Sequence, residues 1–166
     1  MEVKTVSESI SEIAELMLPE HANPAGMVHG GTIMKIIDTV AAIVAVRHAR
    51  CIVVTASVDK IDFICPAFIG TLIIAKASLN FVSRTSMEIG VRVEAENLTK
   101  GERRHVASAY LTYVALDKKR EPTEVPPLKP ETPDEKRRFE EGKQRRERRL
   151  EELKKKRQRN NNSATE

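Results

Sequence analysis

The run of residues 32–49, TIMKIIDTVAAIVAVRHA, constrains the fold of this chain more than any other segment. Ile33, Ile36, Ile37, Val40, Ala41 and Val44 recur at helical spacing and further apolar residues fill the gaps, so the pattern predicts a helix buried on nearly every side. Such a helix needs a cover. Four runs rich in Val, Ile, Thr and Tyr follow it, at residues 51–61, 71–81, 87–96 and 105–116. In the third, Met87, Ile89, Val91, Val93 and Ala95 alternate with Glu88, Gly90, Arg92, Glu94 and Glu96, the period of a strand with one dry face and one wet. Pro66 with Gly70, the turn Ser83 to Ser86, and the turn Asn97 to Gly101 punctuate the connections, which are short enough to make successive strands antiparallel neighbours. One apolar helix and one meander bury each other only if the sheet curls around the helix. The expected class is therefore α+β, an antiparallel sheet wrapped around one long central helix.

Charge divides the chain. Residues 1–117 carry 11 basic and 13 acidic side chains and residues 118–166 carry 17 and 11, so the net charge of +4 belongs to the tail. A basic patch for nucleic acid is thus not expected on the packed part, and aromatic content of 4% without Trp argues against base stacking there. Residues 1–117 read as the folded domain. Residues 118–133, with Pro122, Pro126, Pro127, Pro130 and Pro133, read as a stiff linker. Residues 134–166 read as a charged tail, helical after the capping box at Thr132 to Glu135, solvated, and disordered from Asn160 onward. Phe139, Leu150 and Leu153 make no heptad seam. Nucleic-acid or partner binding through this tail is the alternative role its charge allows.

Other classes are set aside on composition and spacing. Cys51 and Cys65 offer neither a disulfide framework nor a zinc motif, and His21, His29, His48 and His105 lack ligand spacing, so no metal is expected. The Glu-rich first 19 residues do not read as a secretory leader, and no apolar stretch is long enough to span a bilayer. The expected location is the cytoplasm, with no membrane partner.

Asp38 is the most informative polar residue, because burying a carboxylate in the middle of an apolar helix costs several kcal/mol unless something compensates. It reads either as a group that activates water or as a structural Asp bonded to a neighbour such as Thr39 or Ser57. Gly30 and Gly31 open the helix and leave backbone N–H groups at its positive end, suited to a carbonyl oxygen. Gly31 and Asp38 are two turns apart on one face, ~10 Å along the axis, so one extended ligand could touch both. Asn23 either orients water or makes a turn, and His29 reads as a general base or as a cap.

These segments carry a family resemblance. Asn23-Pro-Ala-Gly-Met-Val-His-Gly-Gly31 followed by Thr-Ile-Met-Lys-Ile-Ile-Asp38 resembles the start of the hotdog-fold acyl-CoA thioesterases, in the group of the brain-type acyl-CoA hydrolases. The likeness continues through Val54 to Phe63, Ser83 to Ile89 and Tyr113 to Asp117, leaving the tail outside it. It implies the hotdog fold and hydrolysis of a fatty or other acyl-CoA to free acid and CoA. It also implies that Asn23 and Asp38 form the hydrolytic pair, one from each of two subunits. Helix-start N–H groups at Gly30 and Gly31, beside His29, would hold the thioester oxygen; Arg84, Thr85 and Ser86 would lie near the nucleotide end of CoA. No cofactor is implied, since CoA is part of substrate and product. Homodimers assembled as hexamers are the expected partners. The rival reading is an acyl-CoA-binding regulator that uses the same pocket without hydrolysis; a dehydratase, also found on this fold, usually pairs a His with a carboxylate in another motif.

Overall fold

The computed structural model describes residues 1–163, with side chains described for residues 1–156 and Gln158. Its elements are β1 (Lys4–Thr5), β2 (Ser11–Leu16), α1 (Gly30–Ala49), β3 (Ile52–Phe63), β4 (Leu72–Val82), β5 (Ser86–Asn97), β6 (Glu102–Leu116), β7 (Leu128–Lys129) and α2 (Pro133–Ser163). His29 is extended just before α1, and its Nδ1 accepts the Gly31 N–H at 2.9 Å, capping the helix. Arg50 ends α1 in the left-handed region at φ 55°, with Arg47 in the last turn where a cation complements the helix dipole.

Strands β2 to β6 form one antiparallel sheet in the order β2-β4-β5-β6-β3, and α1 touches all five. Ile37, Val40 and Val44 of α1 meet Ile73, Ile89 and Leu111 of the sheet in one buried cluster. This is the hotdog arrangement expected from the sequence. The edge strand β2 was not expected: its run of six residues, SEIAEL, is short and has glutamates at both an outward and an inward position, Glu12 and Glu15, so the strand signal is weak. The other edge, β3, has no partner on its outer side among the described residues, and Ile52, Val54 and Val58 on it are exposed.

Two expectations change. Helix α1 is not buried all round, because Met34, Asp38 and Val46 form an exposed stripe at four-residue intervals with half-covered Ala42 between them. Asp38 therefore lies at the surface of a single chain. Packing also continues past Asp117. Val125 and Pro126 are buried, β7 pairs in parallel with β1, and the buried His48 Nε2 lies 2.7 Å from the Pro126 carbonyl. The prolines make this segment stiff, as expected, yet it is strapped across the end of α1 rather than left free.

Helix α2 is likewise docked over its first half. Glu135, Arg138, Phe139, Gly142, Arg145, Arg146 and Arg149 form its half-buried or buried stripe, at helical period, against the outer face of the sheet. Phe139 packs against Phe81 with ring centroids 5.0 Å apart and the ring planes tilted by 59°. A Cβ on Gly142 would sit 2.9 Å from the Phe81 Cβ, so glycine is what lets the helix approach there. Arg145 lies over the Tyr110 ring at 3.9 Å and reaches the buried Glu88 carboxylate at 2.7 Å. From Leu150 to Lys156 the side chains are exposed, as expected of a solvated helix. Asn160 to Ser163, expected to be disordered, continue the helix; residues 164–166 of that expectation lie outside the described residues.

Candidate functional site

Two groups of residues lie along α1, at different depths. At its middle, Asp38 Oδ1 accepts hydrogen bonds from the Tyr113 hydroxyl at 2.6 Å and from Thr55 Oγ1 at 2.9 Å. The Tyr113 oxygen also lies 2.9 Å from the Asp38 main-chain carbonyl. Among the described residues nothing donates to Asp38 Oδ2. Tyr113 is buried, which together with the hydrogen bond to Asp38 pushes its phenol well above the usual range and keeps it a donor. Asp38 thus presents one oriented oxygen and one free oxygen on the exposed stripe, beside the open edge of β3.

At the start of α1 lies a cavity of about 290 Å³ lined by Asn23, Met27, Gly30, Ile33, Phe63 and Cys65, among others. Asn23 Oδ1 accepts the N–H groups of Ala25 and Met27 at 2.9 and 3.1 Å, which closes the turn and leaves its amide NH₂ without a partner among the described residues. Asn23 therefore makes a turn and keeps a donor for a ligand. The two glycines differ. Gly31 N–H is occupied by His29, whereas Gly30 N–H has no acceptor among the described residues and borders the cavity. His29, exposed, is the helix cap.

Within one chain these groups do not meet. Gly30 and Asp38 are separated by ~12 Å of helix, and Asp38 does not line the Asn23 cavity. Arg84, Thr85 and Ser86 form the β4–β5 turn, held by the hydrogen bonds from Ala115 N–H to the Thr85 carbonyl and from Val125 N–H to the Arg84 carbonyl. Ser86 pairs with Val114, next to Tyr113, which sets the turn at the Asp38 end of the sheet. Arg84 is exposed and only loosely paired, 3.6 Å from Glu124. A larger cavity of about 470 Å³ lies on the outer face under α2, lined by Lys76, Asn80, Tyr110 and Arg138 among others and remote from Asp38. Among the described residues no group of three or more His, Cys, Asp and Glu is placed to hold a metal, and no helix is long and apolar enough to cross a membrane.

The residues that the sequence reading missed are Thr55 and Tyr113; those it suggested as partners of Asp38, Thr39 and Ser57, bond instead to the Lys35 carbonyl and to Asp59. Thr55 was hidden by a β-bulge. Thr55 pairs with Tyr113 and Ser57 with Thr112, so Ala56 is an extra residue on β3, and simple alternation gives the wrong face. The available signal was a Thr and a Tyr inside otherwise apolar strand runs.

Comparison with known proteins agrees with this fold. Residues 25–102 match the model of the Thioesterase superfamily. The cytosolic acyl coenzyme A thioester hydrolase of Rattus norvegicus is 46% identical over 146 residues, 87% of this chain and 38% of the rat protein, so the chain spans well under half the length of that relative. A solved apo-hexameric acyl-CoA thioesterase is 37% identical with a TM-score of 0.89, covering 92% of this chain and 98% of its own. An acyl-CoA hydrolase variant from Staphylococcus aureus, solved with coenzyme A, gives 33% identity and a TM-score of 0.90 over 99% of both chains. That coverage takes in α2, which the sequence resemblance left outside the family pattern. The Staphylococcus hydrolase has been solved with an Asn, an Asp and a Thr each replaced by Ala, at positions separated by 15 and 17 residues, the separations of Asn23, Asp38 and Thr55 here. With a shared fold and more than 30% identity along nearly the whole length of these hydrolases, the chain belongs to the thioesterase superfamily.

Proposed function

We propose that this chain is an acyl-CoA hydrolase whose active site is completed by a second copy, with Asp38 from one protomer facing Asn23 and Gly30 from the other. The observation that carries the reading is the state of Asp38. Its Oδ1 is held by Tyr113 and Thr55 while Oδ2 is free, on an exposed stripe of α1 that borders the unpaired, apolar edge of β3. Met34 and Val46 on the Asp38 stripe of α1, and Ile52, Val54 and Val58 along the edge strand β3, are exposed apolar side chains suited to burial against another copy. The hexameric relative supports an oligomer here, and the name of the rat protein supports a cytosolic location.

In this site the Gly30 N–H stabilises the oxyanion, the Asn23 amide orients water, and Asp38 Oδ2 acts as base toward that water or as the nucleophile. CoA leaves as a thiolate whose thiol pKa is near ~8.5, so no strong general acid is needed. The reaction requires no cofactor. The apolar cavity beside Asn23 receives the acyl group, and the exposed Arg84 with Thr85 and Ser86 meets the phosphates or ribose of CoA. A nucleic-acid role for the tail is less favoured, because Arg138, Arg145 and Arg149 point to the sheet.

The test is complementation. Asn23→Ala and Asp38→Asn, each expected to be inactive alone as folded oligomers, are co-expressed and mixed oligomers isolated. A shared site regenerates some sites with both wild-type groups, so activity returns to about a quarter of wild type. No recovery in verified mixed oligomers, or full activity in either single variant, would reject the shared site.

A further inference from the structure

Helix α2 crosses the outer face of the sheet strand by strand. Arg138 Nη1 lies 3.4 Å from Ser78 Oγ of β4, Arg145 binds Glu88 of β5 and covers Tyr110 of β6, and Arg149 reaches β6 and β3. At the end of this path, the two N–H groups of Arg149 Nη1 are shared among four oxygens within hydrogen-bond reach: Ser57 Oγ at 2.8 Å, both oxygens of Asp59 at 3.1 Å, and Thr112 Oγ1. Ser57 and Thr112 themselves donate to Asp59, each at 2.7 Å. Thr112 is buried and Asp59 and Arg149 are largely covered, so this is a closed polar cluster rather than a solvated ion pair.

Its location is what gives it a role. Strand β3 bears two bulges, with Ala56 and Asp59 as the extra residues opposite β6. In an unbroken strand Thr55 and Ser57, two apart, would face the same way. The bulge turns Ser57 outward to Arg149 and leaves Thr55 inward to Asp38. Thr112 and Tyr113 are adjacent on β6 and split the same way, Thr112 to the outer cluster and Tyr113 to Asp38. Because β3 is an edge strand, it lacks a second strand neighbour among the described residues to hold this distortion.

We infer that Arg149 is a positioning residue for hydrolysis: by clamping the β3 bulge from the outer face, it aims Thr55 at Asp38 across the sheet. This rests on the proposed role of Asp38, and it assigns a function to the basic C-terminal helix.

The experiment is a double-mutant cycle on kcat in the full chain, using an acyl-CoA substrate and free-thiol release, with Arg149→Met, Thr55→Ala and the pair. Arg149→Met lowers kcat about tenfold with KM changed less than about twofold, and in the Thr55→Ala background it has little further effect, since its target is gone. Arg149→Lys, which retains one donor, recovers part of the loss. Should Arg149→Met prove unstable, the same cycle is run with Ser57→Ala, which removes one clamp bond and leaves α2 docked. Wild-type kcat in both clamp variants, or an equal fold loss with and without Thr55, overturns the inference while leaving the Asp38 reading in place. Wild-type turnover in Thr55→Ala and Asp38→Asn overturns both.

Discussion

Tyr113 holds Asp38 at two points, donating to the carboxylate Oδ1 at 2.6 Å and lying 2.9 Å from the carbonyl of the same residue. A buried strand residue thus fixes both the side chain and the main chain of the proposed reacting group. The phenol has only one proton, so the shorter contact to the carboxylate is the charge-assisted bond and the carbonyl contact is secondary.

Replacing Tyr113 by Phe keeps the ring in the core and removes only the hydroxyl. The carboxylate keeps Thr55 alone and gains rotational freedom, so kcat falls about tenfold, or roughly 1.4 kcal/mol of transition-state stabilisation. Stability falls by about 1 kcal/mol for the lost hydrogen bond. Steady-state kinetics with denaturant titration checks this, and a kcat within about twofold of wild type would show that Thr55 suffices.

The two glycines at the start of α1 separate by function. A Cβ on Gly30 meets only the Phe63 ring, at 3.6 Å, an ordinary contact at the cavity, while one on Gly31 comes 3.0 Å from the capping His29 Nδ1. Gly30→Ala is expected to retain thermal stability and lose turnover by about tenfold or more as the oxyanion seat is crowded. Gly31→Ala displaces the His29 ring and costs about 1 kcal/mol of stability through the cap, with a smaller effect on kcat. The reverse ranking of stability and activity in the two variants would refute the assignment.

His48 links stability to pH. Burial holds its imidazole below the ordinary 6.5, and the hydrogen bond to the Pro126 carbonyl only partly offsets this; its Nδ1 is buried without a partner among the described residues. Lys4, whose ammonium binds the His48 carbonyl, also disfavours the imidazolium, and Glu8 acts the other way. With the folded value depressed, the unfolded chain takes up the proton first. The contribution is complete above 6.5 and is lost as pH falls from there through the folded value. The melting temperature between pH 8 and pH 5 should fall more steeply in the wild type than in His48→Gln. Equal slopes would show that His48 does not titrate in this way.

The amino-acid sequence alone determined the central helix, the four main strands, their antiparallel order of succession and the residues of the Asn23 turn and helix start. All of these follow from local periodicity, capping and turn chemistry, which act over a few neighbouring residues. Only the tertiary structure decided that Asp38 is exposed rather than buried, that Thr55 and Tyr113 hold it, that Gly30 and not Gly31 keeps a free N–H, and that Val125 with Pro126 and one face of α2 from Glu135 to Arg149 pack. The reason is physical: a bulge on β3 breaks the two-residue alternation, and the contacts of Tyr113 with Asp38 and of Arg149 with Asp59 join residues 75 and 90 positions apart. A charged helix also reads the same in sequence whether its arginines face water or carboxylates on a sheet, until the fold places Glu88 and Asp59 beneath it.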